Sequence, residues 1–334
     1  MRHVPNIGTS HKERLMFRGI ARGFLIAATL MAGSAQAAWP ERTVTIVTPF
    51  AAGGIADVVA RLTAERLQST LKQNFIVENQ TGAGGTAAPE RVARATPDGY
   101  TLMSTPIFQL TTAKYAHNVS FDENKDFKPI SAVASAPFVI TVGASFPANT
   151  LAEFIAYVKA NQGKLTFGSA GAGSTTHVAA VVVLQAAGLD MVHVPYRGVA
   201  PAFTDLLAGH IAMLAASPVE LKPYLQTGKV KMLAVVDNKP SPHLPGVPPV
   251  TETLKDCPSA VTYNGLLGPA ALPPEVVDTL SRELVAAGKS EEFKTRVLNV
   301  GLQPLLTTPE EFTKIFVADA ALWNGIMPGL KLKQ

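Results

Sequence analysis

Residues 44–59 read VTIVTPFAAGGIADVV, and this stretch decides the fold. Its first part, residues 44–47, is a short apolar run rich in β-branched side chains, which predicts a buried strand. The chain then breaks at Pro49 and at the pair Gly53-Gly54, and apolar residues recur at helical spacing beyond it. A strand that turns through glycines into a helix is the building unit of an α/β sheet.

The alternation of strand and helix continues along the chain and restarts after Pro137. We predict further strands at residues 75–77, 100–103, 138–142, 165–167, 191–194, 211–214, 230–235 and 261–263. We predict helices after the first strand and around Val92, and then at residues 150–161, 176–187, 199–208, 218–226, 273–288, 290–300 and 309–325. The pattern is typical of parallel, doubly wound α/β sheets.

The length favours two domains, because a single hydrophobic core stops growing at about 250–300 residues. We assign residues 38–137 and 261–334 to lobe 1, which is discontinuous, and residues 138–260 to lobe 2. The two chain crossings, near residues 135–139 and 258–263, are then expected to form a two-strand hinge.

The N-terminus predicts export. Residues 1–37 have the order of a signal peptide, with basic Arg14, Arg18 and Arg22, an apolar run at residues 23–32 and the cleavage site Ala35-Gln36-Ala37. The apolar run is shorter than the roughly 20 residues that span a bilayer. We therefore expect cleavage after Ala37 and a periplasmic protein.

Charge and cysteine content exclude several classes of function. The leader holds five of the 29 basic and one of the 25 acidic residues, which leaves 24 of each. A neutral chain carries no electrostatic footprint for nucleic acid or anionic lipid. Cys257 is the only cysteine, so it forms no intramolecular disulfide and no cysteine metal site, and we interpret it as a small packed residue.

Three glycine-rich loops, at residues 49–57, 82–86 and 168–175, have the composition of a ligand site. In α/β sheets ligands bind beyond the carboxyl ends of the strands, where helix N-termini offer free N–H groups to an anion. The alternative is that each loop is only a tight turn between strand and helix. No loop matches a dinucleotide or phosphate-loop signature, so we expect no nucleotide and no cofactor.

A hydrolase is a second hypothesis. Ser169 or Ser174 with His177 would supply a nucleophile and a base, but no acidic partner for the histidine is near in sequence. His177 fits a polar cap or a pocket rim better, and His193, flanked by valines on a predicted strand, fits a structural role. No histidine and acid cluster predicts a metal site.

Two residues of a later turn have open roles. Arg197 fits either a clamp for a ligand carboxylate or a surface position. Tyr196 fits either a cover over the ligand or a packed side chain.

Short motifs, spread in order along the chain, resemble one family. They read VTPFAAGGIADVVAR at 47–61, VENQTGAGG at 77–85, PDGYTL at 97–102, KDFKPI at 125–130, GAGSTTH at 171–177, HVPYRG at 193–198, LPGVP at 244–248 and LLGPA at 266–270. The chain is identified by them as a member of the Bug proteins, the extracytoplasmic solute receptors of tripartite tricarboxylate transporters.

The resemblance implies a type II periplasmic-binding-protein fold, which closes on its ligand like a Venus flytrap. It also implies capture of a small carboxylate by loop amides, hydroxyls and water, and delivery to a two-subunit membrane permease by a monomeric, non-enzymatic receptor without a metal. A sensor that presents its ligand to a membrane kinase is a further alternative. The expected ligand-binding residues are Phe50, Ala51, Gly53, Gly54, Asp57, Gly84, Gly85, Thr105, Ser169, Ala170, Gly173, Ser174, Thr175, His177, Tyr196 and Ser217.

The sequence departs from the family pattern at three places. Ala52 replaces the usual proline, and residues 104–109 are bulkier than the usual stretch of small residues. Residues 215–217 read AAS where an aspartate is frequent, which argues against an ammonium-bearing ligand. We therefore expect a di- or tricarboxylate or, since Phe108 and the alanines leave room for it, an aromatic carboxylate.

Overall fold

The strands form two sheets in a computed structural model that describes residues 1, 3, 39–224, 226–330 and 332. Apart from residues 1 and 3, the predicted signal peptide with its cleavage site after Ala37 lies outside the described residues. The segment Arg42–Gln334 forms one compact unit, which contains all the strands and helices described.

The elements alternate in the way that the sequence predicts. In chain order the strands are β1 (Val44–Thr48), β2 (Phe75–Asn79), β3 (Thr101–Pro106), β4 (Phe127–Pro137), β5 (Val139–Gly143), β6 (Thr166–Ser169), β7 (Val192–Pro195), β8 (Met213–Ala216), β9 (Val230–Val235), β10 (Val261–Pro269) and β11 (Gln303–Pro304). The helices are α1 (Ile55–Leu71), α2 (Ala87–Ala93), α3 (Phe108–Thr112), α4 (Leu151–Lys159), α5 (Thr175–Ala186), α6 (Val199–Ala208), α7 (Pro218–Leu221), α8 (Pro274–Ala287), α9 (Glu291–Asn299) and α10 (Pro309–Ile326). Short 3₁₀ turns lie at Ala83–Gly85, Ala113–Tyr115, Lys222–Tyr224, Val250–Glu252 and Met327–Gly329.

The first sheet has the strand order β11-β4-β10-β3-β1-β2 and defines the first lobe. Strand β1 is parallel to both β2 and β3, whereas β10 is antiparallel to β3 and β4. Val44, Ile46 and Val47 are fully buried, as expected of a parallel strand with both faces covered.

The second sheet has the order β7-β6-β8-β5-β9 and defines the second lobe. Strand β6 is parallel to β7 and β8, and β5 is antiparallel to β8 and β9. Both sheets are therefore mixed rather than wholly parallel. In each, the strand that enters from the hinge, β10 or β5, runs opposite to its neighbours.

The hinge is a short hydrogen-bonded ladder between the sheets. Strand β4 continues into β5 through Phe138 alone, whose N–H donates to the Ala260 carbonyl at 3.1 Å. The Ala260 N–H donates to the Val236 carbonyl at 2.8 Å, and the Val236 N–H donates to the Phe138 carbonyl at 2.7 Å. The prediction of two doubly wound α/β lobes joined by a two-strand hinge is confirmed.

Aromatic packing lies against this hinge. The rings of Phe108 and Trp323 stack with centroids 4.8 Å apart, and Phe108 meets Phe138 edge-on at 6.2 Å. All three side chains belong to the core cluster beneath the second sheet. Helices α3 and α10, which carry Phe108 and Trp323, therefore pack against the hinge.

Two helices show how closely the sequence predicts the positions at which helices begin and end. Thr150 caps α4, which was predicted at residues 150–161, since its hydroxyl accepts from the Glu153 N–H at 3.2 Å. The helix expected at 218–226 is shorter, because α7 ends at Leu221 and a 3₁₀ turn follows.

Candidate functional site

Loops at the carboxyl ends of the parallel strands of both lobes meet at one internal cavity of about 10 Å³. Its lining comprises Phe50, Ala51, Gly54, Ile55, Ala56, Ala170, Thr175, Thr176, Val199 and Glu220. A cavity of this size holds about one water molecule. A ligand therefore enters only when the lobes separate about the hinge.

Glycines allow the facing loops to touch. A Cβ atom on Gly198 of the second lobe would lie 2.8 Å from the Cβ of Ala51 in the first. Gly84, with a left-handed φ of 62°, lies directly against the Ala172 carbonyl, which leaves no space for a side chain. The Ala172 oxygen also lies 2.6 Å from Nε2 of His117. The closed arrangement thus depends on small residues at the lobe interface.

Asp57 stabilises its own loop. Its carboxylate accepts two bonds from Arg61, at 2.9 and 3.0 Å, one from the Asn79 amide at 2.9 Å and one from the Gly53 N–H at 3.1 Å. Burial alone raises the pKa of Asp57, but the bonds from Arg61, Gly53 and Asn79 outweigh it and hold the pKa below its usual value. The predicted ligand residues Gly53 and Asp57 therefore hydrogen-bond to each other.

The loop around residues 82–86 packs beside the cavity without lining it. The Gly84 carbonyl accepts from the Gln109 amide at 2.8 Å, and Gly85 lies against the ring of Phe50. Thr105, at the end of β3, is fully buried, and its hydroxyl lies 3.3 Å from the Pro106 carbonyl.

The start of α5 is fixed by its own side chains. The Ser174 hydroxyl accepts from the His177 N–H at 3.3 Å, and the Gly173 N–H donates to Nδ1 of His177 at 3.0 Å. The Thr176 hydroxyl accepts from the Ala170 N–H at 2.8 Å. Ser174 and His177 thus act as caps here, and the hydrolase hypothesis loses that pair.

Ser169 pairs with a different histidine from the one expected. Its hydroxyl lies 2.6 Å from Nε2 of His193 and 3.0 Å from the Gly171 carbonyl, and it is fully buried. The His193 ring stacks on His177 with centroids 3.8 Å apart. Burial, and then the neighbouring His193, lowers the pKa of His177 to about 3, and burial lowers the pKa of His193 to about 4. The stack is therefore neutral at physiological pH.

Tyr196 and Arg197 are not among the residues that line the cavity. The Tyr196 hydroxyl donates to Oδ2 of Asp205 at 2.5 Å, and burial, with that bond, raises its pKa to about 12. The Arg197 side chain is exposed. Of the open roles, packing for Tyr196 and a surface position for Arg197 agree with this geometry.

A carboxylate from the second lobe caps α1 of the first. Oε1 of Glu220 accepts from the Ile55 N–H at 2.8 Å. Oε2 accepts from the Ser217 N–H at 2.7 Å and from the Ser217 hydroxyl, which forms a capping box at the start of α7. Burial raises the pKa of Glu220 above its usual value, and the bonds from Ser217 and Ile55 offset only part of that shift. Gly54, the N-cap of α1, has no side chain to make this bond.

Comparison with known proteins identifies the family. A family model described as "Tripartite tricarboxylate transporter family receptor" matches residues 59–332. The chain belongs to this family. The resemblance that the sequence motifs indicate is thereby confirmed, and with it the receptor class.

Solved structures agree with this assignment. The receptor is 28% identical to "R. palustris Rpa4515 with adipate", with 87% of this chain and 99% of that chain covered and a TM-score of 0.83. It is 30% identical to "MatC (Rpa3494) from Rhodopseudomonas palustris with bound malate", with 86% and 100% covered and a TM-score of 0.82. It is 33% identical to "periplasmic binding protein BugD", with 86% and 98% covered and a TM-score of 0.79. The two-lobe periplasmic-binding-protein fold is confirmed.

Five of the predicted site residues line the cavity, namely Phe50, Ala51, Gly54, Ala170 and Thr175. The other eleven predicted residues, all within the described part of the chain, do not line it. Five further lining residues were not predicted individually, although the first two belong to the predicted loop at residues 49–57: Ile55, Ala56, Thr176, Val199 and Glu220. The Ser-x-x-Glu spacing of Ser217 and Glu220 is a readable capping-box signal, but it does not reveal that the carboxylate also reaches the other lobe.

Two further findings concern the described residues alone. None of their helices is long and apolar enough to cross a membrane. No three of their histidine, cysteine, aspartate or glutamate side chains come together in a way that would hold a metal ion. Cys257 is buried, and burial raises the pKa of its thiol to about 11, so the sulfur is a neutral packed group.

Proposed function

We propose that this receptor captures a small carboxylate between its lobes in the periplasm and delivers it to the two-subunit permease of a tripartite tricarboxylate transporter. The observation that carries the proposal is the bond of 2.8 Å from the Ile55 N–H to Oε1 of Glu220. This bond supports the proposal, because it shows a carboxyl oxygen accepting a hydrogen bond from the N-terminus of α1. The bound adipate and malate of two similar structures support the ligand class.

The proposed site is the cavity lining together with the predicted residues around it. Loop amides at the starts of α1 and α5 would bind the carboxylate, and Thr175 would add a hydroxyl. Closure about the hinge would bring Ala51 against Gly198 and exclude water. Binding then favours the closed state, because the ligand contacts both lobes only there.

The same proposal includes several further points. The leader directs export and is cleaved after Ala37, the receptor acts as a monomer without catalysis, and the boundaries of lobe 1 and lobe 2 are those predicted from the sequence. The full burial of Ser169 gives the hydrolase alternative no accessible nucleophile.

The ligand is tested by mass spectrometry of whatever copurifies with the mature protein, followed by calorimetry with that compound and with adipate and malate. Thr175→Val removes a hydroxyl from the cavity lining while keeping its shape, and we expect weaker binding. Thr313→Val, on the exposed face of α10, is the matched control and should bind like wild type. A copurifying compound without a carboxylate, together with no binding of any carboxylate, would refute the proposal.

Delivery is tested in cells that lack the gene. Loss of uptake of the labelled ligand supports transport. Unchanged uptake together with loss of a ligand-dependent transcriptional response supports the alternative of a sensor for a membrane kinase.

A further inference from the structure

Glu220 is the one ionisable side chain in the lining of the cavity. It is 8% exposed and approaches from the second lobe, so that Oε1 faces the start of α1. The family resemblance predicts capture by loop amides, hydroxyls and water, whereas the structure also places a carboxyl group in the cavity lining.

No cation in the cavity lining balances this carboxylate. Arg61 is the basic residue nearest in sequence to the start of α1, and both of its hydrogen bonds to a carboxylate go to Asp57. The groups that do contact Glu220 are the N–H of Ile55 and the N–H and hydroxyl of Ser217. A carboxylate brought into this cleft by a ligand would therefore lie beside a protein carboxyl group that already accepts from the start of α1.

Separation of the lobes affects the hydrogen bonds of the two Glu220 oxygens differently. Oε2 bonds to Ser217 within the same short helix, α7, and keeps those partners. The bond from the Ile55 N–H to Oε1 joins the two lobes and breaks on opening. If a ligand carboxylate takes the Ile55 N–H and the cleft closes again, Oε1 is buried without that donor, and a buried acceptor without a donor is unfavourable.

We propose that Glu220 determines the specificity of the receptor by requiring a ligand that carries a nitrogen donor, an ammonium or a carboxamide, in addition to its carboxylate. The inference rests on the proposed function, since it concerns the same cleft. It replaces the argument that residues 215–217 lack an acid, because Glu220 supplies an acid from three residues further along the chain.

The experiment compares pairs of ligands that differ only at one end. Succinate and succinamate, and adipate and adipamate, have the same shape, but the second member of each pair presents a neutral carboxamide in place of one carboxylate. Calorimetry with wild type should give about 10- to 100-fold tighter binding of the amide within the pair that fits the cleft. Glu220→Gln should abolish or reverse that preference.

Two further variants keep the test decisive. Glu220→Asp retains the charge and the cap at Ser217 and should retain the preference for the amide, even if Glu220→Gln folds poorly. Glu310→Gln, which removes an exposed acid from α10, should bind like wild type.

Equal binding of both members of a pair by wild type would overturn the proposed specificity and leave carboxylate capture intact. A preference that persists in Glu220→Gln would do the same. An equal gain in affinity for both members in Glu220→Gln would show instead that Glu220 merely competes with the ligand. Absence of binding of every carboxylate, in every variant, would count against the proposed function itself.

Discussion

Replacement of Asp57 by alanine should destabilise the folded receptor by about 3–4 kcal/mol. The substitution removes two hydrogen bonds from the neutral donors Gly53 and Asn79 to the charged carboxylate, which contribute about 1.5 kcal/mol each. It also removes the pair with Arg61, which contributes at most about 1 kcal/mol because 55% of the Arg61 side chain is exposed and solvent screens the charge.

Urea unfolding monitored by circular dichroism measures this change at pH 7. Asp57→Asn should lose less than Asp57→Ala, because its amide oxygen still accepts from the loop. Glu310→Ala removes an exposed pair with Lys314 and should leave the unfolding midpoint unchanged.

The pH dependence provides an independent check. The pKa of Asp57 is lower in the folded state than in the unfolded state, so its stabilisation is fully present above the unfolded value and is lost as pH falls through the folded value. Wild type should therefore lose more stability than Asp57→Ala between pH 5 and pH 3, values chosen to bracket the usual aspartate pKa of about 3.9. Parallel curves for the two proteins, or a change below about 0.5 kcal/mol at pH 7, would refute the assigned hydrogen bonds.

Three further predictions concern closure, packing and titration. Gly198→Ala should weaken ligand binding by about 1–3 kcal/mol, because its Cβ would lie 2.8 Å from that of Ala51; calorimetry should find no change in Gly325→Ala, which meets open space. Phe108→Ala should lower the free energy of unfolding by about 3–5 kcal/mol in urea titrations, since the ring is fully buried against the hinge; a loss below about 1 kcal/mol would contradict this packing. The pKa of His193 falls from 6.5 to about 4 on folding. As pH drops, the unfolded state therefore takes up the proton first. The free energy of unfolding then falls between these two pH values, by up to about 1.4 kcal/mol per pH unit. His193→Gln should show a shallower fall, and an equal slope would contradict the buried neutral ring.

The sequence predicts the elements whose signals are local. The β1 strand and the glycine pair before α1 follow from residues 44–59 alone, and the helix predicted at residues 150–161 begins within one residue of α4. Strand β4 is missed because its residues, FKPISAVASAP, are mostly small and have low strand propensity. It becomes a strand through pairing with β10, a partner more than 100 residues away, which no local pattern contains.

The site divides in the same way. Phe50, Ala51 and Gly54, predicted as ligand-binding residues, line the cavity, and a local pattern reaches them because the glycine-rich loop and the helix start lie in one stretch. Glu220 is missed because its role depends on a residue 165 positions away, Ile55, in the other lobe. A capping box at the start of α7 is sufficient reason for that glutamate in sequence, so the pattern offers no sign of its second partner.

The helix start and the glutamate together decide what kind of anion receptor this is. A free helix N-terminus in a cleft favours any carboxylate, because loop amides recognise the group rather than the molecule. In this receptor the carboxyl group of Glu220 faces that terminus at hydrogen-bond distance. A ligand carboxylate that binds the helix start therefore also lies close to Glu220. Selectivity among carboxylates then follows from the rest of the ligand, since only a molecule that also brings a donor is favoured by both groups.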